Sequence, residues 1–390
     1  MATALAVIVV VVFIVWATSP DPKVNQASFE DVEMVVSVAP IDEAFTLAQF
    51  RSDSGEIITL LVLRYDGVTV EGIDLTRLSA PRSEDPFQLL AAIEKGELKA
   101  AVSNSVDRIS IPVERLLPSG PAGSRHIGTG TNFPEHAKEA GSDQVFMFPK
   151  FGLATPARTS VRASADGLLD YEVELCMRFD RPIASLVDFD AALKGLFLCA
   201  DFTERTALLE LADPDDLDSG FGFSDAKSGP GFFPTGPFLV IPEDWASFVS
   251  KTRMTTEHNG EARQDARGTE MTLNFRELTE KALHEMGNPR FAYKDELYEL
   301  APNERVEADM TLMSGTSEGV IFTPPARHDY IEIVIAYAMA GGPLSGKSLK
   351  ETGIAEFIEN ERSSGHFLQP GDVVVYRSTT LGDIVVDVTE

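Results

Sequence analysis

Asp170-Tyr171-Glu172-Val173-Glu174-Leu175 is the stretch whose reading decides the fold. On an extended strand successive side chains alternate between faces, so Glu172 and Glu174 share one face while Tyr171, Val173 and Leu175 share the other. Two carboxylates ~4 Å apart repel by roughly 4 kcal/mol at an effective dielectric near 20. If the strand is interior, a cation must compensate them; if it lies at a sheet edge, the acidic face is simply solvated. Asp170 falls on the same carboxylate face and is read as a supporting residue at most.

Three further segments carry chemistry. Downstream, the apolar run Leu196-Phe197-Leu198 ends in Cys199-Ala200-Asp201-Phe202-Thr203-Glu204-Arg205, an acid and a base four residues apart. Phe223-Ser224-Asp225-Ala226-Lys227-Ser228-Gly229-Pro230 sets Lys227 in a Gly/Pro-rich turn flanked by phenylalanines, a poor place for a merely solubilising charge, although an exposed loop lysine is the plain alternative. Upstream, Gly128-Thr129-Gly130-Thr131-Asn132 enters a short helix on which His136 and Glu139 share a face, so that the carboxylate can orient the imidazole and raise its basicity. The plain alternative is an exposed helical ion pair of little consequence. No Lys-Ser/Thr follows these glycines, so they do not form a phosphate loop.

Composition bounds the function. The chain has 390 residues, with 61 Asp+Glu against 33 Lys+Arg and a net charge of -28. Nucleic-acid binding depends on clustered basic side chains and is excluded. A site for an anionic substrate on such a chain needs local positive charge, which a metal ion supplies. The two cysteines, Cys176 and Cys199, rule out a disulfide framework and an all-cysteine zinc site. They are read as two small buried hydrophobes, with a single bridge between them left open. His126, His258, His284, His328 and His366 lack partners at ligand spacing and are read as structural or exposed.

Organisation follows from apolar patterning and punctuation. Ala2 to Ala17 is an uncharged apolar run that breaks at Ser19-Pro20-Asp21-Pro22. It is read as a single N-terminal membrane anchor over residues 2–19, with Trp16 at the interface and Thr18 and Ser19 in the headgroup layer. A cleavable signal ending at Val15-Trp16-Ala17 is the alternative, and the side of the membrane, cytoplasmic or periplasmic, is left open. The expected units are 1–23 (anchor or signal with linker), 24–120 (small α+β domain) and 121–390 (larger, mainly β). In the second unit Leu60 to Tyr65 and Val68 to Ile73 read as strands joined at Asp66-Gly67. One helix then runs from Asp85-Pro86 through Phe87, Leu89, Leu90, Ile93 and Leu98. Pro118, Gly120, Pro121 and Gly123 mark the boundary. In the third unit Phe238 to Pro242 and Val373 to Tyr376 read as strands, and Ala326 to Arg362 reads as an insertion that forms a lid or an oligomer contact.

Taken in order, these segments resemble the fumarylacetoacetate hydrolase family from about Leu60 to the C-terminus. The H-x-x-E pair, D-Y-E-V-E-L, D-x-x-x-R, A-K-S and G-P-F-L-V carry the likeness, together with Asn259-Gly260-Glu261, Arg263-Gln264, Gly315 to Val320 and Leu368 to Asp372. Here Lys227 is followed by Ser228-Gly229-Pro230, where the family commonly has an aspartate three residues on. Thr316-Ser317 stands where Thr-Pro is usual, and the usual glutamine is absent around Leu208. The resemblance implies an α+β, mainly β fold, a mixed β-sandwich roll with a small N-terminal α+β domain, and a homodimer. It implies that Glu172, Glu174 and Asp201 ligate Mg2+, with Mn2+ or Ca2+ as substitutes, an all-oxygen shell that suits hard ions. It also implies a small-molecule 2-oxo acid substrate, with Arg205, Thr316 and Lys150 as substrate-binding residues and Lys227 stabilising an enolate. His136 is then the base and Glu139 its orienting partner. The implied activity is metal-dependent hydrolysis of a C–C bond in a 2,4-dioxo acid of the acylpyruvate or fumarylpyruvate type, as in aromatic catabolism. The competing expectations are a lyase, decarboxylase, hydratase or isomerase at the same centre, and a membrane-tethered organic-acid binding protein.

Overall fold

The computed structural model describes residues 2–19, 27–78, 83–104, 108–142 and 144–390. The linker read at 20–23 lies outside them. Helix α1 (Ala2–Ala17) precedes strands β1 (Ala44–Arg51), β2 (Ile57–Tyr65) and β3 (Thr69–Asp74), helices α2 (Pro86–Ala91) and α3 (Lys95–Asn104), and strand β4 (Arg108–Pro112). Next come β5 (Arg125–Gly130), α4 (Pro134–Ala140), β6 (Phe146–Phe151), β7 (Arg158–Arg162), β8 (Leu169–Asp170), β9 (Val173–Phe179), α5 (Leu186–Ala191) and β10 (Lys194–Ala200). The chain continues through β11 (Thr203–Glu204), α6 (Arg205–Leu211), α7 (Phe223–Lys227), β12 (Leu239–Pro242), α8 (Trp245–Lys251), β13 (Arg253–His258), β14 (Glu261–Arg267) and α9 (Phe275–Glu285). It ends with β15 (Phe291–Tyr293), β16 (Glu296–Tyr298), β17 (Leu312–Met313), α10 (Arg327–Met339), α11 (Leu349–Ser364), β18 (Val373–Ser378) and β19 (Gly382–Thr389).

Two sheets dominate. One has ten strands in the order β4-β3-β2-β1-β12-β10-β9-β17-β5-β6, the other five in the order β14-β13-β18-β19-β7. Val173, Leu175 and Met177 of β9 pack with Val374 and Tyr376 of β18 and Val386 of β19 in one continuous core, so the sheets form a mixed α+β roll. The opposite face of the ten-stranded sheet, with Leu47, Leu61, Phe197 and Leu239, is covered by Phe87, Leu89, Leu90, Ile93 and Leu98. The strand turn at Asp66-Gly67 forms as read: Asp66 Oδ1 accepts from the amides of Val68 and Thr69 at 3.1 and 2.8 Å, and Gly67 takes φ +92°. The helix read from Asp85 is interrupted. Asp85 caps α2 by accepting from the Phe87 amide at 2.9 Å, but α2 closes at Ala92 and α3 begins at Lys95, with Ile93 and Leu98 still buried.

Two expectations are corrected. First, Cys176 and Cys199 are joined in a disulfide with Cα atoms 6.0 Å apart. They face the same side of the adjacent antiparallel strands β9 and β10, where Phe197 opposes Cys176 and Glu174 opposes Cys199. Diagonal neighbours at this register fall within disulfide reach, so the pair is a bridge and not two separate small hydrophobes.

Second, the membrane span expected over residues 2–19 is not found: among the described residues no helix is long and apolar enough to cross a membrane. The 16 residues of α1 rise ~24 Å, short of the ~30 Å hydrocarbon core. α1 instead packs on α10. Trp16 Nε1 donates to Glu332 at 2.6 Å, Ser19 Oγ accepts from the His328 amide at 3.3 Å, and Thr18 Oγ1 donates to the Ile14 carbonyl at 2.7 Å.

Candidate active site and metal centre

β9 lies between β10 and β17, well inside the ten-stranded sheet, which removes the edge-strand reading of its acidic pair. Antiparallel pairing with β10 sets Val173 opposite Ala200, and the Asp201 amide donates to the Glu172 carbonyl at 3.0 Å just beyond that register. The alternation that puts Glu172 and Glu174 on one face thereby brings Asp201 to the same point. One oxygen from each of the three lies within 4.8 Å of the others, and their exposures are 4, 0 and 0%.

The surrounding cations answer most of this charge. Lys227 Nζ donates to Glu172 Oε2 at 2.7 Å, to Asp201 Oδ2 at 2.8 Å and to Thr203 Oγ1 at 2.8 Å. Arg205 Nη2 donates to Glu172 Oε1 at 2.7 Å and Nε to Asp170 Oδ2 at 2.9 Å. Burial alone would raise the Glu172 carboxyl, but Lys227 and Arg205 outweigh it and pull it down to about 2. Glu174 fares differently. Its Oε2 accepts from the Gly315 amide at 2.9 Å, while Oε1 is buried with no hydrogen-bond partner among the described residues. Burial, reinforced by Asp201, pushes its carboxyl well above the usual range. An orphaned buried carboxylate oxygen beside two more carboxylates is what a divalent cation would satisfy, and three oxygen donors suit a hard ion such as magnesium. The residues therefore fit the group.

Glu172, Lys227 and Arg205 line a cavity of about 100 Å³, and His136, Glu139 and Thr316 line the same space. His136 Nδ1 and Glu139 Oε2 lie 3.1 Å apart, and Glu139 Oε1 accepts from the Gly319 amide at 3.1 Å. Their side chains are 12 and 13% exposed, so the exposed surface pair weighed from the sequence is not what forms. Pro134 opens α4 and Gly141 closes it at φ +68°. The preceding glycines do not cradle a phosphate. A β-carbon on Gly128 or Gly130 would collide with the rings of Phe148 and Phe146 on the paired strand β6.

Two residues read as substrate-binding are otherwise engaged. Lys150 does not line the cavity; fully buried, it donates to Asp201 Oδ1 at 2.6 Å and to the Lys227 carbonyl. Burial, against the attraction of Asp201, lowers its ammonium pKa. Thr316 reaches the cavity wall, but its hydroxyl donates to the Val173 carbonyl at 3.0 Å and accepts from Gln264 Nε2 at 2.9 Å. Asp170 holds Arg205 and accepts from the amides of Ile321 and Phe322 at 2.9 and 3.1 Å.

Three contributors were not assigned roles from the sequence: Thr203, which touches both Lys227 and Glu172; Gly315, whose φ of +78° aims its amide at Glu174; and Gln264, which ties Val173 to Thr316 and Ser317. The available signals were the position of Thr203 between Asp201 and Arg205 and the place of Gln264 and Gly315 within the family-like motifs.

A two-sheet α+β roll with a buried Glu/Glu/Asp centre opening on a His–Glu pair defines a class of enzymes that generally use divalent metals. Residues 125–389 match the family model described as fumarylacetoacetate (FAA) hydrolase C-terminal, and the chain belongs to that family. No curated protein sequence matches the chain. Among solved structures, the fumarylacetoacetate hydrolase from psychrophilic Exiguobacterium antarcticum is similar at 18% identity and a TM-score of 0.54, over 88% of this chain and 99% of that one. A 2-hydroxyhepta-2,4-diene-1,7-dioate isomerase from Mycobacterium marinum is similar at 17% identity and a TM-score of 0.51, over 88 and 98% of the two chains. A 5-carboxymethyl-2-hydroxymuconate delta-isomerase from Mycobacterium smegmatis gives 16% identity and 0.50, over 88 and 99%. At these identities the likeness is one of fold.

Proposed function

We propose that the protein is a divalent-metal-dependent hydrolase that cleaves a C–C bond in a 2,4-dioxo acid. The observation that carries this reading is that one cavity joins the His136–Glu139 pair to Glu172, Arg205 and Lys227. A divalent ion held by Glu172, Glu174 and Asp201, magnesium foremost with manganese or calcium as substitutes, supplies Lewis-acid polarisation of the 2-oxo acid and stabilises its enolate.

The chain's own groups do the rest. With the proton on Nδ1 directed to Glu139, His136 Nε2 is the basic nitrogen. It takes a proton from water as the water oxygen bonds to the C4 carbonyl carbon. The C3–C4 bond then breaks, its electron pair passes to C3 as the pyruvate enolate, and the proton on Nε2 is returned to C3. The products are pyruvate and the acid of the acyl group. Lys227, fixed by three acceptors, holds positive charge beside the enolate, and Arg205 holds it beside the substrate carboxylate. Phe146, Phe223 and Phe322 on the cavity wall exclude water from the enolate.

The test is loss of enol absorbance of acetylpyruvate with magnesium or manganese, for the full chain and for His136→Ala. Loss of turnover in the variant supports hydrolysis with the named base. Turnover that survives contradicts it and favours a lyase or isomerase at the same centre, an activity of the kind that two of the similar structures are named for.

A further inference from the structure

We infer that the acyl end of the substrate is uncharged and apolar, so that the site prefers alkyl acylpyruvates over dicarboxylates such as fumarylpyruvate. The inference rests on the reading of the cavity as the site for a 2,4-dioxo acid and names the member of that class.

The lysine and arginine lining the cavity among the described residues are Lys227 and Arg205. All three proton directions of the Lys227 ammonium are taken, by Glu172, Asp201 and Thr203. The guanidinium of Arg205 is answered by Asp170 and Glu172 at 2.8 and 2.7 Å and lies over the Phe322 ring at 5.3 Å. With a divalent ion bound and Glu174 ionised, the five carboxylates of Glu139, Asp170, Glu172, Glu174 and Asp201 are matched by the ion together with Lys150, Arg205 and Lys227, so no surplus positive charge is left for a second substrate carboxylate.

Much of the cavity wall is apolar, from Phe146, Leu208, Leu217, Phe223, Val320 and Phe322. The rings of Phe146 and Phe223 pack 4.6 Å apart in this wall. The other charged group on the lining is Glu139, which is an acid. A second carboxylate in this cavity would lose its water, meet no unpaired cation and face Glu139, whereas an alkyl chain would be matched by these side chains.

The experiment compares kcat/KM of the magnesium-loaded full chain for butanoylpyruvate and fumarylpyruvate, and calorimetric binding of both to His136→Ala, which holds substrate without relying on turnover. The expected result is a preference of at least about tenfold for the butanoyl compound in both measurements, because an unpaired buried charge is rejected strongly. Leu208→Arg, on the half-buried face of α6, is expected to shrink or reverse that ratio. Equal or better use of fumarylpyruvate, with hydrolysis intact, overturns the inference alone. Binding that favours the neutral chain without turnover supports it and counts instead against the hydrolase reading; binding of neither compound overturns both.

Discussion

Two of the charge clusters among the described residues differ in one respect. In the first, Arg253 holds Asp265 through two bonds of 2.7 and 2.6 Å and donates to the Val32 carbonyl at 2.7 Å. Asp265 also accepts from the Glu30 amide at 2.8 Å, and Arg267 closes the set on the Glu30 carboxylate. Its acids and bases pair off, and it pins the chain around residue 30 to β13 and β14. In the second, around Glu172, Glu174 and Asp201, three cations leave Glu174 Oε1 buried without a partner among the described residues, in a cluster whose Glu172 lines a cavity. Burial and charge alone therefore do not mark a functional site. An unsatisfied carboxylate oxygen in a cluster that borders a cavity does, because it costs stability that a ligand recovers.

The largest effect is expected at the working cluster. His136→Ala should lower kcat/KM for a 2,4-dioxo acid by ~10²–10⁴ while leaving metal affinity within about threefold, since the base is not a ligand. A variant that retained activity would erase the functional half of the contrast. Asp265→Asn tests the structural half. Breaking one partner of a buried pair should cost about 3–5 kcal/mol in denaturant unfolding, with kcat/KM per folded molecule unchanged. A specific loss of activity there would show that the two clusters do not divide the labour as argued.

Metal removal should sharpen the contrast further. Saturation at 100 times the dissociation constant should stabilise the full chain by ~2.7 kcal/mol, an increment reversed by a chelator. Asp265→Asn should keep this increment. The smallest change is Thr203→Val, which removes one of the three acceptors of Lys227. Its expected cost is about 1 kcal/mol of transition-state stabilisation, roughly fivefold in kcat. An unchanged rate would relegate Thr203 to packing.

What could be read in advance followed from short-range periodicity. Period-two alternation placed Glu172 and Glu174 together, and three-residue spacing placed His136 with Glu139, because both relations are set by the local backbone. The ordered likeness to a known family then joined Asp201, Arg205 and Lys227 to them. What escaped depends on register between distant segments. Cys176 and Cys199 are separated by 23 residues, and only the pairing of β9 with β10 tells a bridge from two small hydrophobes. The amide of Gly315 reaches Glu174 across 141 positions, and Gln264 reaches Val173 across 91. Lys150 looked free to meet substrate until β6 placed it against Asp201. The apolar run of α1 looked like an anchor because composition says nothing of partners, and in the fold Trp16 and Ser19 meet α10.

The central claim is that the orphaned oxygen of Glu174 marks a divalent-cation centre, and calorimetric titration of magnesium and manganese into the full chain and into Glu174→Gln tests it most directly. The account predicts one site per chain in the unaltered protein and its loss in Glu174→Gln, which stays folded because an amide there carries no buried charge. Absence of binding in the unaltered protein, or equal affinity in the variant, would contradict it.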